Sequence, residues 1–236
     1  MRKTLLALAS LLTVLTAPAH AREPAALAAS EAGSTRFVPS RIAAERSAIA
    51  SYGPFRVLDT GRVALVGVTD SATPAQFAAM LRDYPALATL ELVECPGTED
   101  DRANLELGRL IRAAGLATHV PRGGSVRSGA VELFLAGTTR RIDEGAEFAV
   151  HSWIDEDGRE AKDFAPDAAI HQPYLVYYRE MGMDEAQARA FYTMTNSAPF
   201  AAAKWFGAAE MRRWIGGGEA RSAPRIAYLD LQGALP

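Results

Sequence analysis

Between Val63 and His151 short β-rich runs alternate with amphipathic helical ones, and that alternation leaves few folds open. Val63–Val68, Leu90–Val93 and Ala117–Val120 read as strands. Thr73-Pro74 reads as an N-cap followed by proline in the first turn of a helix that carries Phe77, Met80 and Leu81 on one face. Glu99–Ala114 reads as a second helix, with Leu105, Leu107, Leu110 and Ile111 as its apolar positions and Gly115 as its stop. Its acids crowd the first turn and its arginines lie near the end, as the helix dipole favours. Strand and helix in strict succession are the signature of βαβ units and a parallel sheet.

The flanks are less regular. Pro39–Ser51 reads as a short helix with Ile42 and Ile49 on one face, ending at Gly53-Pro54. Phe55–Leu58 and Val63–Val68 make a hairpin-like start around Asp59-Thr60-Gly61. After His151 come a charged turn (Asp155–Arg159), an aromatic helix over Pro166–Met181 with Ile170, Tyr174, Tyr177 and Tyr178, a helix capped by Asp184, and a helical stretch over Lys204–Ile215. Gly216–Gly218 is a break, and Pro224–Leu231 reads as a terminal strand.

Residues 1–21 carry a basic pair (Arg2, Lys3), an apolar run from Leu5 to Ala17 and an Ala19-His20-Ala21 cleavage site, the pattern of a secretory signal peptide. The apolar run is too short for a stable membrane span. The organisation expected is therefore a signal peptide (1–21), a flexible leader with a short helix (22–52) and one α/β domain (53–236), exported to a bacterial periplasm. Without the signal, 23 basic residues face 28 acids, a formal charge of −5. A mildly acidic chain is a poor ligand for nucleic acid. One cysteine, Cys95, allows no internal disulfide. Beyond the signal, three scattered histidines and that cysteine have no metal-ligand spacing, so no metal and no cofactor are expected.

In an open α/β sheet functional residues gather where strands end and helices begin. Three such points stand out: Cys95-Pro96-Gly97-Thr98, Ser125–Gly129 and His151. Ser128 would open a short helix reaching Gly137, with its own N–H and that of Gly129 as unpaired donors suited to an oxyanion. A hydroxyl needs a base to become a nucleophile, and a histidine is the natural one, so His151 is the candidate.

The strand and turn LVECPGT, the segment SVRSGAVELFLAG, the following TTRRI, the strand AEFAVHS and the later IHQPYLVYYREMG and WFGAAEMRRW together resemble the Clp protease proteolytic-subunit (ClpP) family within the crotonase-like superfamily, and more closely its secreted bacterial members. The resemblance spans roughly Val63 to Ile215. It implies a spiral of βαβ units with a mainly parallel twisted sheet and a helical C-terminal part. It implies a serine peptidase acting on a peptide or protein substrate, assembled as a homo-oligomer. Residue by residue, it puts Ser128 at the nucleophile, His151 at the general base, and the backbone N–H groups of Thr98 and Gly129 at the oxyanion. Thr98 stands where the family has a second glycine, which narrows the backbone and crowds the groove.

The family's third triad member is an aspartate downstream of the histidine, and Thr193–Ala203 contains no acid. Asn196 is the nearest polar candidate there, and Glu132, one turn beyond Ser128, is a second candidate. Lys162 suggests a Ser–Lys dyad instead. A catalytically silent scaffold that keeps the fold is the remaining reading. Against all of these stand plainer roles. A serine at a helix start is often only a cap. His119 and His171 read as structural, and the tyrosine stripe reads as packing, against the chain or another subunit.

Overall fold

The computed structural model describes residues 39–216. The signal peptide, most of the leader and the terminal strand expected at Pro224–Leu231 lie outside the described residues.

The chain opens with a helix, α1 (Pro39–Ser47), and then enters a sheet: β1 (Ala50–Tyr52), β2 (Phe55–Val57) and β3 (Arg62–Val66). The expected helix over 39–51 therefore stops early. Ala50–Tyr52 pairs antiparallel with Phe55–Val57 instead, and Ile42 and Ile49 are exposed. The pairing explains the difference: the tight turn at Gly53 (φ +53) folds these residues back on β2, and ladder hydrogen bonds replace helical ones.

From β3 onward the pattern is right. Helix α2 (Thr73–Asp83) leads to β4 (Thr89–Cys95), and α3 (Asp101–Ala113) leads to β5 (Ala117–Val120). Thr73 is not itself the cap of α2: Ala72 holds that position, while Asp70 accepts from the Ala72 N–H and the Thr73 hydroxyl. Asp100 caps α3 by accepting from the Ala103 N–H, and Gly115, at φ +72, ends it.

Strand β4 is the axis of the molecule. Its first half pairs parallel with β5, which pairs with β7 (Arg140–Ile142). Its last residues pair instead with β6 (Ser125–Arg127), which pairs with β8 (Glu147–Val150). The sheet thus forks at the end of β4, and the fork brings Pro96–Thr98 beside the end of β6. Between β6 and β7 lies α4 (Ala130–Leu135), a six-residue helix buried on every side. Every pairing among β3 to β8 is parallel, and the pairings at the two ends of the sheet are antiparallel. The architecture is a mixed α/β fold with a mainly parallel sheet, as expected.

The C-terminal part is helical but not as continuous as the sequence suggests. A 3-10 turn at Ala169–His171 precedes α5 (Gln172–Glu180), so the aromatic helix starts later than Pro166 and Ile170 stays exposed. Helix α6 (Glu185–Thr195) is capped by Asp184 as expected. Lys204–Gly207 is a strand, β9, antiparallel to β8, and only Ala208–Ile215 (α7) is helical. Phe206 explains this difference, since as part of a strand it stacks on Phe148 of β8 with ring centroids 5.8 Å apart.

The aromatic stripe faces inward. Tyr177 and Tyr178 are fully buried and bind α4, not a second subunit: the Tyr177 hydroxyl donates to the Glu132 carbonyl (2.7 Å) and the Tyr178 hydroxyl to the Glu132 carboxylate (2.6 Å). These bonds position the helix that follows Ser128.

Candidate active site

Two residues separate β6 from α4, and they are Ser128 and Gly129. So short a turn demands an unusual backbone. Ser128 has φ +49 and is the one non-glycine with positive φ among the described residues. Such a conformation costs a serine about 1–3 kcal/mol. Its surroundings offset that cost: the Ser128 N–H donates to the Ala149 carbonyl (2.9 Å) and its carbonyl accepts from the Val131 N–H (3.0 Å). A strained strand-to-helix elbow that lifts a serine out of the backbone is a recurrent way to present a nucleophile.

The same bond corrects one expectation. The Ser128 N–H is already engaged with β8 and does not serve an oxyanion. Thr98 and Gly129 fare differently. Thr98 bridges Thr69 through its neighbours: the Thr69 N–H donates to the Gly97 carbonyl (3.1 Å) and the Glu99 N–H to the Thr69 carbonyl (2.8 Å). In that parallel pattern the Thr98 N–H points away from Thr69. No hydrogen bond engages it or the Gly129 N–H among the described residues. Asn104 fixes Gly129, donating from Nδ2 to its carbonyl at 2.7 Å.

Two glycines are required by close approach. A Cβ on Gly97, at φ +135, would stand 2.9 Å from Ser128 Cβ, and one on Gly129 would stand 2.6 Å from Thr98 Cγ2. Thr98 itself fits because its hydroxyl turns back into the loop, donating to the Thr69 or Asp100 carbonyl and accepting from the Asp100 N–H.

Ser128, Thr98, Gly129 and His151 line one cavity of about 640 Å³. His151 follows directly on β8 and packs edge-on against Phe200 at 5.0 Å. Its Nδ1 lies 2.9 Å from the Ser152 carbonyl. A carbonyl only accepts, so Nδ1 carries the proton and Nε2 is left with a lone pair. No hydrogen bond joins Ser128 Oγ to His151 in this structure.

The remaining candidates fall in different places. Asn196 lines the cavity, but its Nδ2 donates to the Tyr192 carbonyl (2.8 Å) and it makes no hydrogen bond to His151. Its buried Oδ1 accepts no hydrogen bond among the described residues. Lys162 is exposed, pairs with Glu160 at 3.2 Å and does not line the cavity, so no Ser128–Lys162 dyad forms. Ser125 is buried and accepts from Arg127. His119 lies 3.1 Å from Asp143 at the sheet surface, and His171 is buried against Tyr192 and the Ala165 carbonyl. Among the described residues no cluster of His, Cys, Asp and Glu can hold a metal ion, and no helix is long and apolar enough to cross a membrane.

Glu132 lines the cavity floor but does not reach His151 by hydrogen bond. Burial pushes its carboxyl up to about 7, which the Tyr178 hydrogen bond partly opposes and the nearby Asp101 charge reinforces. The unfolded chain releases this proton near 4.5, whereas the folded chain holds it to about 7. The stability it contributes is complete below pH 4.5 and is lost as pH rises to about 7, by about 3 kcal/mol in all. Glu132→Gln keeps an acceptor for Tyr178 and removes that slope. Urea melts at about pH 4.5 and about pH 8 are expected to show wild type losing this increment and the variant not. An equal decline in both would refute the account.

Several cavity residues carry no mark of a site in the sequence. Asp101, Tyr174 and Tyr178 line the cavity as well. Asp101 looked like a dipole-compensating acid in a first helical turn. Tyr174 and Tyr178 looked like packing, although their four-residue spacing does place them on one helix face.

No family model and no curated protein matches the sequence. Solved structures do resemble it. A variant of the 1510-N membrane-bound stomatin-specific protease, in complex with a substrate peptide, is 17% identical with a TM-score of 0.45, covering 65% of this chain and 70% of that one. A variant of ClpP1 from Listeria monocytogenes is 15% identical with a TM-score of 0.44, covering 66% and 88%. The catalytic domain of the Plasmodium falciparum ClpP protease is 12% identical with a TM-score of 0.45, covering 64% and 79%.

Proposed function

We propose that this chain is a secreted serine hydrolase that cleaves peptide bonds, with Ser128 as nucleophile and His151 as general base. The observation that carries the reading is the elbow: a serine held at φ +49 between a strand and a helix, on a cavity it shares with a histidine. Ser128 Oγ attacks the substrate carbonyl carbon while its proton passes to His151 Nε2. The electron pair displaced onto the carbonyl oxygen is met by the N–H groups of Thr98 and Gly129. His151 then returns the proton to the leaving amine, and water repeats the cycle on the acyl-enzyme. Export rests on the first 21 residues and places the activity in the periplasm. Assembly into a homo-oligomer rests on the sequence resemblance to ClpP.

A fluorophosphonate probe tests this reading. The wild-type protein is expected to gain the probe's mass on the peptide that contains Ser128, and Ser128→Ala to gain none. A wild type that stays unlabelled across pH and temperature would overturn the proposal in favour of a silent scaffold.

A further inference from the structure

The cavity that holds Ser128 and His151 changes character with depth. Its mouth is apolar. Val68, Ile154 and Trp205 line it and are among the large apolar side chains left exposed, at 36%, 36% and 43%. Trp153 and Phe200, both half-buried, continue that wall. Its deepest side chains are polar: Glu132, Tyr178 and Thr195 line the same cavity and are only 6%, 1% and 7% exposed.

Local contacts do not account for a carboxylate at Glu132. The residue already ties α4 to α5 through its backbone carbonyl, which accepts from the Tyr177 hydroxyl at 2.7 Å. Tyr178 needs one acceptor and takes Oε1 at 2.6 Å, a bond that a glutamine would make equally well. No other residue among those described donates a hydrogen bond to Oε2. An ionised carboxylate so buried costs stability unless a positive charge meets it. The surroundings supply none. Arg127, the one guanidinium on the cavity wall, is taken by Glu94 and Ser125. Glu99 and Asp101, both exposed at the opening, add negative charge, and Tyr174 is held neutral by burial. His151 is the remaining titratable group on the wall, and as a general base it is neutral before Ser128 attacks.

We propose that Glu132 is a specificity residue, the anionic end of a pocket that takes a lysine-type, alkylammonium side chain of the substrate. The methylene stem lies along the apolar wall of Trp153, Ile154 and Phe200, and the ammonium meets Oε2 at the floor. An ammonium suits this floor better than a guanidinium does. Tyr178 occupies Oε1, so the two-oxygen edge that a guanidinium pairs with is not free. Glu99 and Asp101 at the opening draw a cation inward. The selection of a substrate rests on the hydrolase reading, because Glu132 stands one helical turn beyond Ser128; the binding of a cation does not. Burial pushes the Glu132 carboxyl up to about 7. A bound cation favours the ionised form, so it must pull that value down, and binding must tighten as pH rises through it.

Hexylammonium and 1-hexanol share a stem and differ in charge, so they test the pocket without any catalysis. In Ser128→Ala at about pH 8, hexylammonium is expected to bind about tenfold more tightly than 1-hexanol by calorimetry. Carbon NMR of the Glu132 carboxyl is expected to show its midpoint falling from about 7 when hexylammonium is added, a readout that needs no substitution at Glu132. Glu132→Gln, which keeps the acceptor for Tyr178, is expected to bring the two ligands level. Equal binding of the two where Glu132 is present, or a midpoint that the amine leaves unmoved, would overturn the proposal. Catalysis is read separately, with reporter peptides that place lysine or its uncharged counterpart norleucine at the scissile carbonyl. Wild type is expected to favour lysine by about tenfold in kcat/KM and Glu132→Gln to lose that preference. Cleavage that favours norleucine would overturn the pocket and leave the hydrolase reading standing. Amine binding with neither cleavage nor labelling would sustain the pocket and defeat the hydrolase reading alone.

Discussion

His151→Gln is expected to slow acylation of Ser128 by about 10²–10⁴-fold, the usual contribution of a positioned general base, while the fold stays intact. The tautomer decides this. With Nδ1–H donated to the Ser152 carbonyl, Nε2 is the only ring nitrogen able to take a proton. Glutamine fills the same half-buried space but cannot accept a proton near neutrality. The ring is held by its own strand and by Phe200, not by a distant acid: the Ser152 N–H donates to the Ala198 carbonyl at 2.8 Å, tying the loop that carries Phe200 to the strand end that carries His151. Asn196→Ala is accordingly expected to leave the rate nearly unchanged, because its amide is spent on the Tyr192 carbonyl. Pre-steady-state labelling of both variants checks the pair. A large loss in Asn196→Ala with a small one in His151→Gln would invert the assignment.

The absence of a downstream aspartate was plain in the sequence, but its consequence was not. Asn196 and Glu132 are the side chains that the sequence offers as a third member, whereas the Ser152 carbonyl at His151 Nδ1 is backbone and leaves no mark on composition. The strand and helix alternation from Val63 to Val150 is legible because its strands are short apolar runs and its two longer helices, α2 and α3, each bury one face. The errors fall where tertiary contacts outweigh local pattern. Lys204–Gly207 lacks the alternation of a typical strand, yet its pairing with β8 and the stacking of Phe206 make it one. Ser128 could be picked from its neighbours' motif, whereas its left-handed backbone could not. That conformation is imposed by β6 and β8 on one side and by α4, anchored through Tyr177 and Tyr178, on the other. Asp101 gives no sign of lining the cavity because a first-turn acid has a sufficient local explanation.

Arg127→Met is expected to destabilise the protein by about 3–5 kcal/mol, the cost of leaving a buried charge without its partner. Glu94 is 2% exposed and Arg127 5%, and the carboxylate accepts from the guanidinium at 2.5 Å. Arg127 donates to Oε1, and the other oxygen, Glu94 Oε2, accepts no hydrogen bond among the described residues, so no other hydrogen bond there compensates the charge once Arg127 is gone. The double variant Glu94→Met with Arg127→Met is expected to recover most of the loss, because a well-packed apolar pair of similar volume carries no desolvation penalty. Urea denaturation of the two single variants and the double variant gives the coupling energy directly. Additive losses would show that the pair is not a unit. The pair also matters for the site. Glu94 and Arg127 sit at the fork, one residue before the end of β4 and at the end of β6, where Glu94 is in register with Ser125. They hold together the two strand ends from which Thr98 and Ser128 project. Even where the double variant regains stability, it loses the charged clamp on that register, so labelling of Ser128 is expected to recover less completely than the denaturation midpoint.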